Sequence, residues 1–149
     1  MPAKAVEVDA DGQAVRVSSP DRLIYPATGS TPDVSKLQVV EYYLSVADGI
    51  MRALRDRPVA LERWTSGVHE GIKLATGRGD KSDAFYSKRV PKGAPEYVET
   101  TRVTFPSGRT AEEVCVANLA TVGWCAQMGT ITFHPWPTRS GDNLSLIHI

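Results

Sequence analysis

The side chains that could do chemistry here fall into three short stretches. Phe85 and Tyr86 are followed, one residue on, by Lys88 and Arg89. Bases stack on aromatic rings at about 1 to 3 kcal/mol each while nearby cations hold phosphates, so such a step suits single-stranded nucleic acid or an overhang. Local sequence alone favours a plainer reading, one ring in the core and the cations on a solvated face, because half-buried strands carry such mixtures. Arg22 and Lys36 flank the loop IYPATGS, with Lys36 in the first turns of a helix. Free N–H groups and the helix dipole favour a phosphate there, and a Lys adds a full charge. Surface salt-bridging is the rival reading. His134, in FHPW, is either a hydrogen-bonded strand residue or a contact for a triphosphate.

Other chemistries find little support. The sequence has no Gly-x-Gly-x-x-Gly, no P-loop, no cluster of Cys and His, and no convincing Ser, His, Asp order. Cys115 and Cys125 are too few for a disulfide scaffold and are not spaced as a zinc knuckle, so they read as buried thiols. Formal net charge is zero, but Lys73, Arg78, Lys81, Lys88, Arg89 and Lys92 gather in one segment against Asp80 and Asp83, while both ends of the chain are acidic. With 149 residues and 42% apolar content, one soluble domain is expected. Neither a signal peptide nor a run of eighteen apolar residues is visible, which predicts a cytoplasmic location.

The elements that must position these residues are α+β in pattern. AVRVSS predicts a short strand, and PDRLIYPATGSTPD an ordered loop. Apolar residues at Leu37, Val40, Leu44, Ala47, Met51 and Leu54 predict one long helix from Pro32 to about Arg57, with Thr31 as N-cap and Pro32 in first position. RPVALERW reads as a strand, the glycine-bearing TSGVHEGIKLATGRGDKSD as a long connection, and AFYSKRV as a short strand. YVETTRVTFPSGRTAEEVCV predicts a hairpin turning at Pro106 to Gly108. ANLATVGWCAQMG reads as a short buried helix with Asn118 as N-cap and Gly129 as its stop, and TITFHPW returns to strand.

Taken in order, DRLIYPATGST, Lys36 heading a helix with EYY, RPVALERW, AFYSK and NLATVGWCAQMGTITFHPW resemble the polymerase domain of bacterial DNA ligase D, of the archaeo-eukaryotic primase superfamily. The resemblance spans nearly all of residues 15 to 137. It implies the N-terminal lobe of a primase-like fold, a mixed sheet with one long and one short helix. It implies residues 1–14 as a flexible tail, 15–144 as the N-terminal portion of the polymerase domain, and 145–149 as an anomalous or truncated end.

The implied activity is template-dependent nucleotidyl transfer that fills DNA ends during non-homologous end joining, with a divalent metal, manganese or magnesium. Arg22, where Lys is usual, and Lys36 would recognise the 5′-phosphate of a break. Phe85 and Tyr86 would support the templating strand, Lys88 and Arg89 the DNA backbone, and His134 the nucleotide phosphates. Ser19 stands where an Asn can occur. Implied partners are double-strand-break ends, a nucleoside triphosphate and the end-binding protein Ku, in a nucleoid-associated setting.

One departure bears on catalysis. The strand after HPW ends, in the family, in an Asp-x-Asp pair that holds two metals. Here Ile147 and Ile149 stand at those places, and Ile cannot ligate a metal. The chain is therefore expected to bind no metal and to be inactive alone, with a non-catalytic DNA-end-binding module as the second reading. A small α+β protein that binds no nucleic acid is the third.

Overall fold

A computed structural model describes residues 4–75 and 83–141. Strands β1 (Ala5–Ala10) and β2 (Gln13–Ser18) form an antiparallel hairpin in which Ala10 faces Gln13. The turn is Asp11-Gly12, both at positive φ, the geometry that matches strand twist. The tail expected over residues 1–14 is thus strand from Ala5 onward. Val6 and Val8 alternate with acidic residues and lie opposite Val17 and Val15, whose buried side chains give the hairpin an apolar face to pack.

The YPATG loop is held as a second small hairpin. β3 (Leu23–Tyr25) pairs with β4 (Val34–Ser35), and Asp33 Oδ1 accepts from Ala27 N at 2.6 Å. The long helix predicted from Pro32 starts later and is broken. α1 (Lys36–Ser45) is capped by Ser35, whose side chain accepts from Gln38 N while Gln38 reaches back to Ser35 N. This reciprocal box satisfies two otherwise orphaned donors, which Thr31 and Pro32 could not do. At its other end Ser45 Oγ bonds Tyr42 O at 2.6 Å, and the chain turns at Val46 before α2 (Ala47–Leu54). A hydroxyl competing for a helix carbonyl, next to β-branched Val46 and with Gly49 beyond, is what divides the two.

The five-stranded sheet is built on β5 (Pro58–Arg63). One edge of β5 pairs with β9 (Thr130–Pro135). Its other edge is shared: β6 (Phe85–Ser87) takes Leu61 to Arg63, and β8 (Thr110–Cys115) takes Pro58 and Val59. β7 (Glu99–Thr104) closes on β8 through the predicted turn, where Gly108 has φ +83°. These pairings are antiparallel, and among the described residues a parallel contact occurs as the bridge Leu74↔Ala84.

Between the sheet and the first hairpin lies α3 (Leu119–Gln127), buried almost throughout. Asn118 Oδ1 caps it by accepting from Thr121 N at 2.9 Å. Gly129 ends it at φ +90°, where a Cβ would sit 3.1 Å from the Thr65 side chain. Val59 and Leu61 pack with Val122, Trp124 and Cys125 in the main core. Cys115 and Cys125 are both free thiols and both buried. Tyr43 locks α1 to β9 by donating to Ile131 O and meeting Phe133 edge-on. Alternation along β5 and β9 leaves Glu62 and His134 on the opposite, open face of the sheet.

Candidate nucleic-acid interface

Four segments converge at the start of α1. Lys36 N donates to Arg22 O at 2.8 Å and Leu37 N to Pro20 O at 3.0 Å, so the helix start is tied to the loop before β3. This brings Arg22 and Lys36, fourteen positions apart, to one place. Arg22 is exposed and donates to Thr65 O at 3.0 Å. Lys36 is only 7% exposed, and its ammonium donates to Ser18 O at 2.6 Å. Arg63, at the end of β5, joins them, donating to Met128 O at 2.8 Å. All three line a cavity of about 150 Å³, with Ser18, Thr65, Gln127 and Gly129; none of the described residues around it is acidic.

The charge balance of that cavity is incomplete. Burial, then the positive charges of Arg22 and Arg16, push Lys36 down to about 8. Burial likewise lowers Arg63. Cations crowded together at a partly buried place favour an anion beside them. Ser19 holds φ +47°, a left-handed conformation that Asn tolerates better than most residues, and its carbonyl accepts from Arg22 N at 3.0 Å.

The aromatic step divides between the two faces of the sheet. Glu62 pairs with Tyr86 and Arg63 with Phe85, so the rings point oppositely. Phe85 lies under Arg63, the guanidinium carbon 5.0 Å from its centroid, and so belongs to the side of that cavity. Tyr86 is 41% exposed and meets His134 edge-on at 5.4 Å. The two adjacent rings therefore cannot form one platform.

On the open face a carboxylate missed by the sequence reading sits between these residues. Glu62 accepts from Trp64 Nε1 at 2.8 Å and pairs with His134 Nε2 at 3.1 Å. Partial burial would raise its proton affinity, but hydrogen bonds from Trp64, His134 and Tyr86 outweigh it and hold Glu62 below the usual carboxylate range. Lys88 lies over the Phe105 ring at 5.7 Å and attracts buried Glu113. Burial pushes Glu113 up to about 7, against the opposing pull of Trp136 Nε1, 3.2 Å away, and of Lys88. Arg89 is exposed and lines a groove with Lys88, Phe105 and Arg109.

Glu62, Arg63, Ser18 and Gln127 thus enter the site unannounced. Period-two alternation in RPVALER could have separated Glu62 from Arg63; nothing local pointed to Ser18 or Gln127.

A divalent metal does not fit the described residues. Among them no group of three or more His, Cys, Asp or Glu side chains could hold an ion, and Glu62 and His134 are spent on one another. Ile147 and Ile149 lie outside the described residues, as do Arg78 and Lys81 of the basic segment. No helix among the described residues is long and apolar enough to cross a membrane.

Comparison with known proteins gives this geometry a context. A family model described as the LigD primase-polymerase domain matches residues 35–146. The multifunctional non-homologous end joining protein LigD of Mycolicibacterium smegmatis is 32% identical over 132 residues, covering 87% of this chain and 15% of the relative. Its counterpart in Pseudomonas aeruginosa is 32% identical over 123 residues, covering 82% of this chain and 12% of that protein. The solved polymerase domain of Mycobacterium tuberculosis ligase D in complex with DNA superposes with a TM-score of 0.65 at 25% identity, over 83% of this chain and 37% of that one. The chain therefore spans a small part of the length of its curated relatives.

Proposed function

The chain belongs to the LigD primase-polymerase family, and from that premise we propose that it recognises broken DNA ends within non-homologous end joining. The observation that carries this reading is the acid-free cavity shared by Arg22, Lys36 and Arg63. A terminal 5′-phosphate brings the negative charge that cavity needs, with exposed Arg22 at the rim and buried Lys36 and half-buried Arg63 at the wall. Phe85 serves by propping Arg63, and Tyr86 offers the exposed ring on which an unpaired base can stack. Lys88 and Arg89 follow the DNA backbone.

The wider reaction is template-dependent nucleotidyl transfer from a nucleoside triphosphate, in concert with Ku. That reaction would draw on a divalent metal, manganese or magnesium, for which the described residues supply no ligand set. In this reading the described residues bind and orient DNA, and Ile147 and Ile149 offer no side-chain oxygen where the resemblance would put the Asp-x-Asp pair. This favours a second reading for the chain by itself, a non-catalytic end-binding module.

Equilibrium binding at several salt concentrations tests the proposal. A duplex with a 3′ overhang and a 5′-phosphate should bind more tightly than the same duplex with a 5′-hydroxyl. Equal affinity for the two would overturn it.

A further inference from the structure

Gln127, the last residue of α3, grips Ser18 with both ends of its amide. Ser18 N donates to Gln127 Oε1 at 2.9 Å, and Gln127 Nε2 donates to Ser18 Oγ at 2.9 Å. The backbone sets that orientation: an N–H can only donate, so the amide oxygen must face it and the amide nitrogen must face the hydroxyl. Lys36 Nζ lies 3.3 Å from the same hydroxyl oxygen. An ammonium also can only donate.

Ser18 Oγ is therefore an acceptor twice over, from Gln127 and from Lys36, which uses both its lone pairs. Its own proton is left as a donor. Ser18 lines the same cavity as Arg22, Lys36 and Arg63. We infer that the Ser18 hydroxyl is a direct ligand of the terminal phosphate, and that Gln127 is the positioning residue that turns its proton toward the cavity. The inference rests on the reading that this cavity takes a DNA 5′-phosphate. It adds a neutral donor to a site otherwise made of cations. A neutral donor adds direction to a site whose charges alone attract any anion.

The same bonds explain why the pair comes from distant parts of the chain. The amide clamp joins residues 109 positions apart, fastening the end of β2 to the end of α3. Lys36 takes the Ser18 carbonyl as well, so one residue at the strand end serves both the clamp and the cation.

The test is a set of variants read by the ratio of affinities for a 3′-overhang duplex with a 5′-phosphate and with a 5′-hydroxyl. Ser18→Ala keeps the backbone bonds to Lys36 and Gln127 and removes only the hydroxyl. It should cut the phosphate preference by about tenfold, the worth of one charge-assisted hydrogen bond, and leave hydroxyl-end binding unchanged. Ser18→Thr, which keeps a hydroxyl and suits a strand, should restore it. Gln127→Ala should lower the preference as well, and the Ser18→Ala, Gln127→Ala double variant should lose no more than Ser18→Ala alone, because both act through one proton.

Lys36→Ala separates the inference from the reading beneath it. Loss of preference in Lys36→Ala with full preference in Ser18→Ala overturns the hydroxyl's role and leaves the phosphate site standing. Full preference in Lys36→Ala overturns both. A parallel loss of hydroxyl-end and phosphate-end binding in Ser18→Ala marks the residue as structural only and likewise overturns the inference.

Discussion

Glu62 and His134 face one another across β5 and β9, carboxylate to imidazole at 3.1 Å, with Glu62 the more deeply set of the two. A triphosphate approaching His134 therefore meets a carboxylate beside it. Replacing Glu62 with Gln keeps an acceptor oxygen and removes the repulsion. Glu62→Gln should strengthen nucleoside triphosphate binding by up to about 1 kcal/mol at low salt, the range for a partly exposed charge pair. Calorimetry against a triphosphate reads it, and weaker binding by the variant would instead make Glu62 the residue that orients His134.

The phosphate preference should be confined to a pH window. Lys36, pushed down to about 8, is charged below that pH and neutral above it. A terminal phosphate gains its second charge near pH 6, by general phosphate chemistry. The preference should be greatest between roughly pH 6 and pH 8 and fade above. Because the folded value lies below the unfolded 10.5, the unfolded chain binds the extra proton in between, and Lys36 contributes stability that rises from about pH 8 to 10.5. Preference that persists at pH 9.5 would contradict the assignment.

Glu113 has the opposite linkage. Its carboxyl is pushed from 4.5 up to about 7, so its contribution to stability is full below pH 4.5 and is lost as pH rises through 7. Glu113→Gln keeps an acceptor for Trp136 and removes the charge. The variant should be near neutral at pH 5 and more stable at pH 8 by on the order of 1 to 3 kcal/mol. Thermal melts at the two pH values decide it.

Phe85 and Tyr86 should part company on mutation. Tyr86→Ala should weaken overhang binding by about 1 to 3 kcal/mol and leave the phosphate preference intact. Phe85→Ala should reduce the phosphate preference, since it frees Arg63 from the ring beneath it. Identical behaviour of the two variants would mean the faces of the sheet are not used separately.

Nucleotide incorporation by this chain should be absent with manganese or magnesium on a primed template, because Ile147 and Ile149 supply no metal ligand. Primer extension in a preparation freed of contaminating polymerase measures it. Any sustained extension sinks the expectation.

Local signals carried much of this fold. Asn118 and Gly129 bracket α3 as their cap and stop chemistry requires, and RPVALER and the Pro106–Gly108 turn announced β5 and the β7–β8 hairpin. The start of α1 failed because Ser35 and Gln38 outcompete Thr31, a contest visible only once the reciprocal bonds are formed. β1 was hidden by acidic residues on its solvent side, while Val6 and Val8 carried the packing. That Lys36 and Arg22 meet was legible from a helix start and its loop. Glu62 with His134 and Ser18 with Gln127 were not, since they meet across 72 and 109 positions and no local period encodes such meetings.

Burial of the two thiols turns the fold into its own clock. Cys125 is fully buried in α3, near enough to Arg63 to feel its charge, and burial raises its proton affinity, so it presents almost no thiolate while the core is closed. Cys115 sits in β8, on the far side of β5 from β9, and is also nearly covered. A thiol reagent can reach either one only when its part of the structure opens. Labelling rates at Cys125 and Cys115 therefore time the opening of the helix layer and of the outer sheet, and an anion held by Arg22, Lys36 and Arg63 should slow the first more than the second.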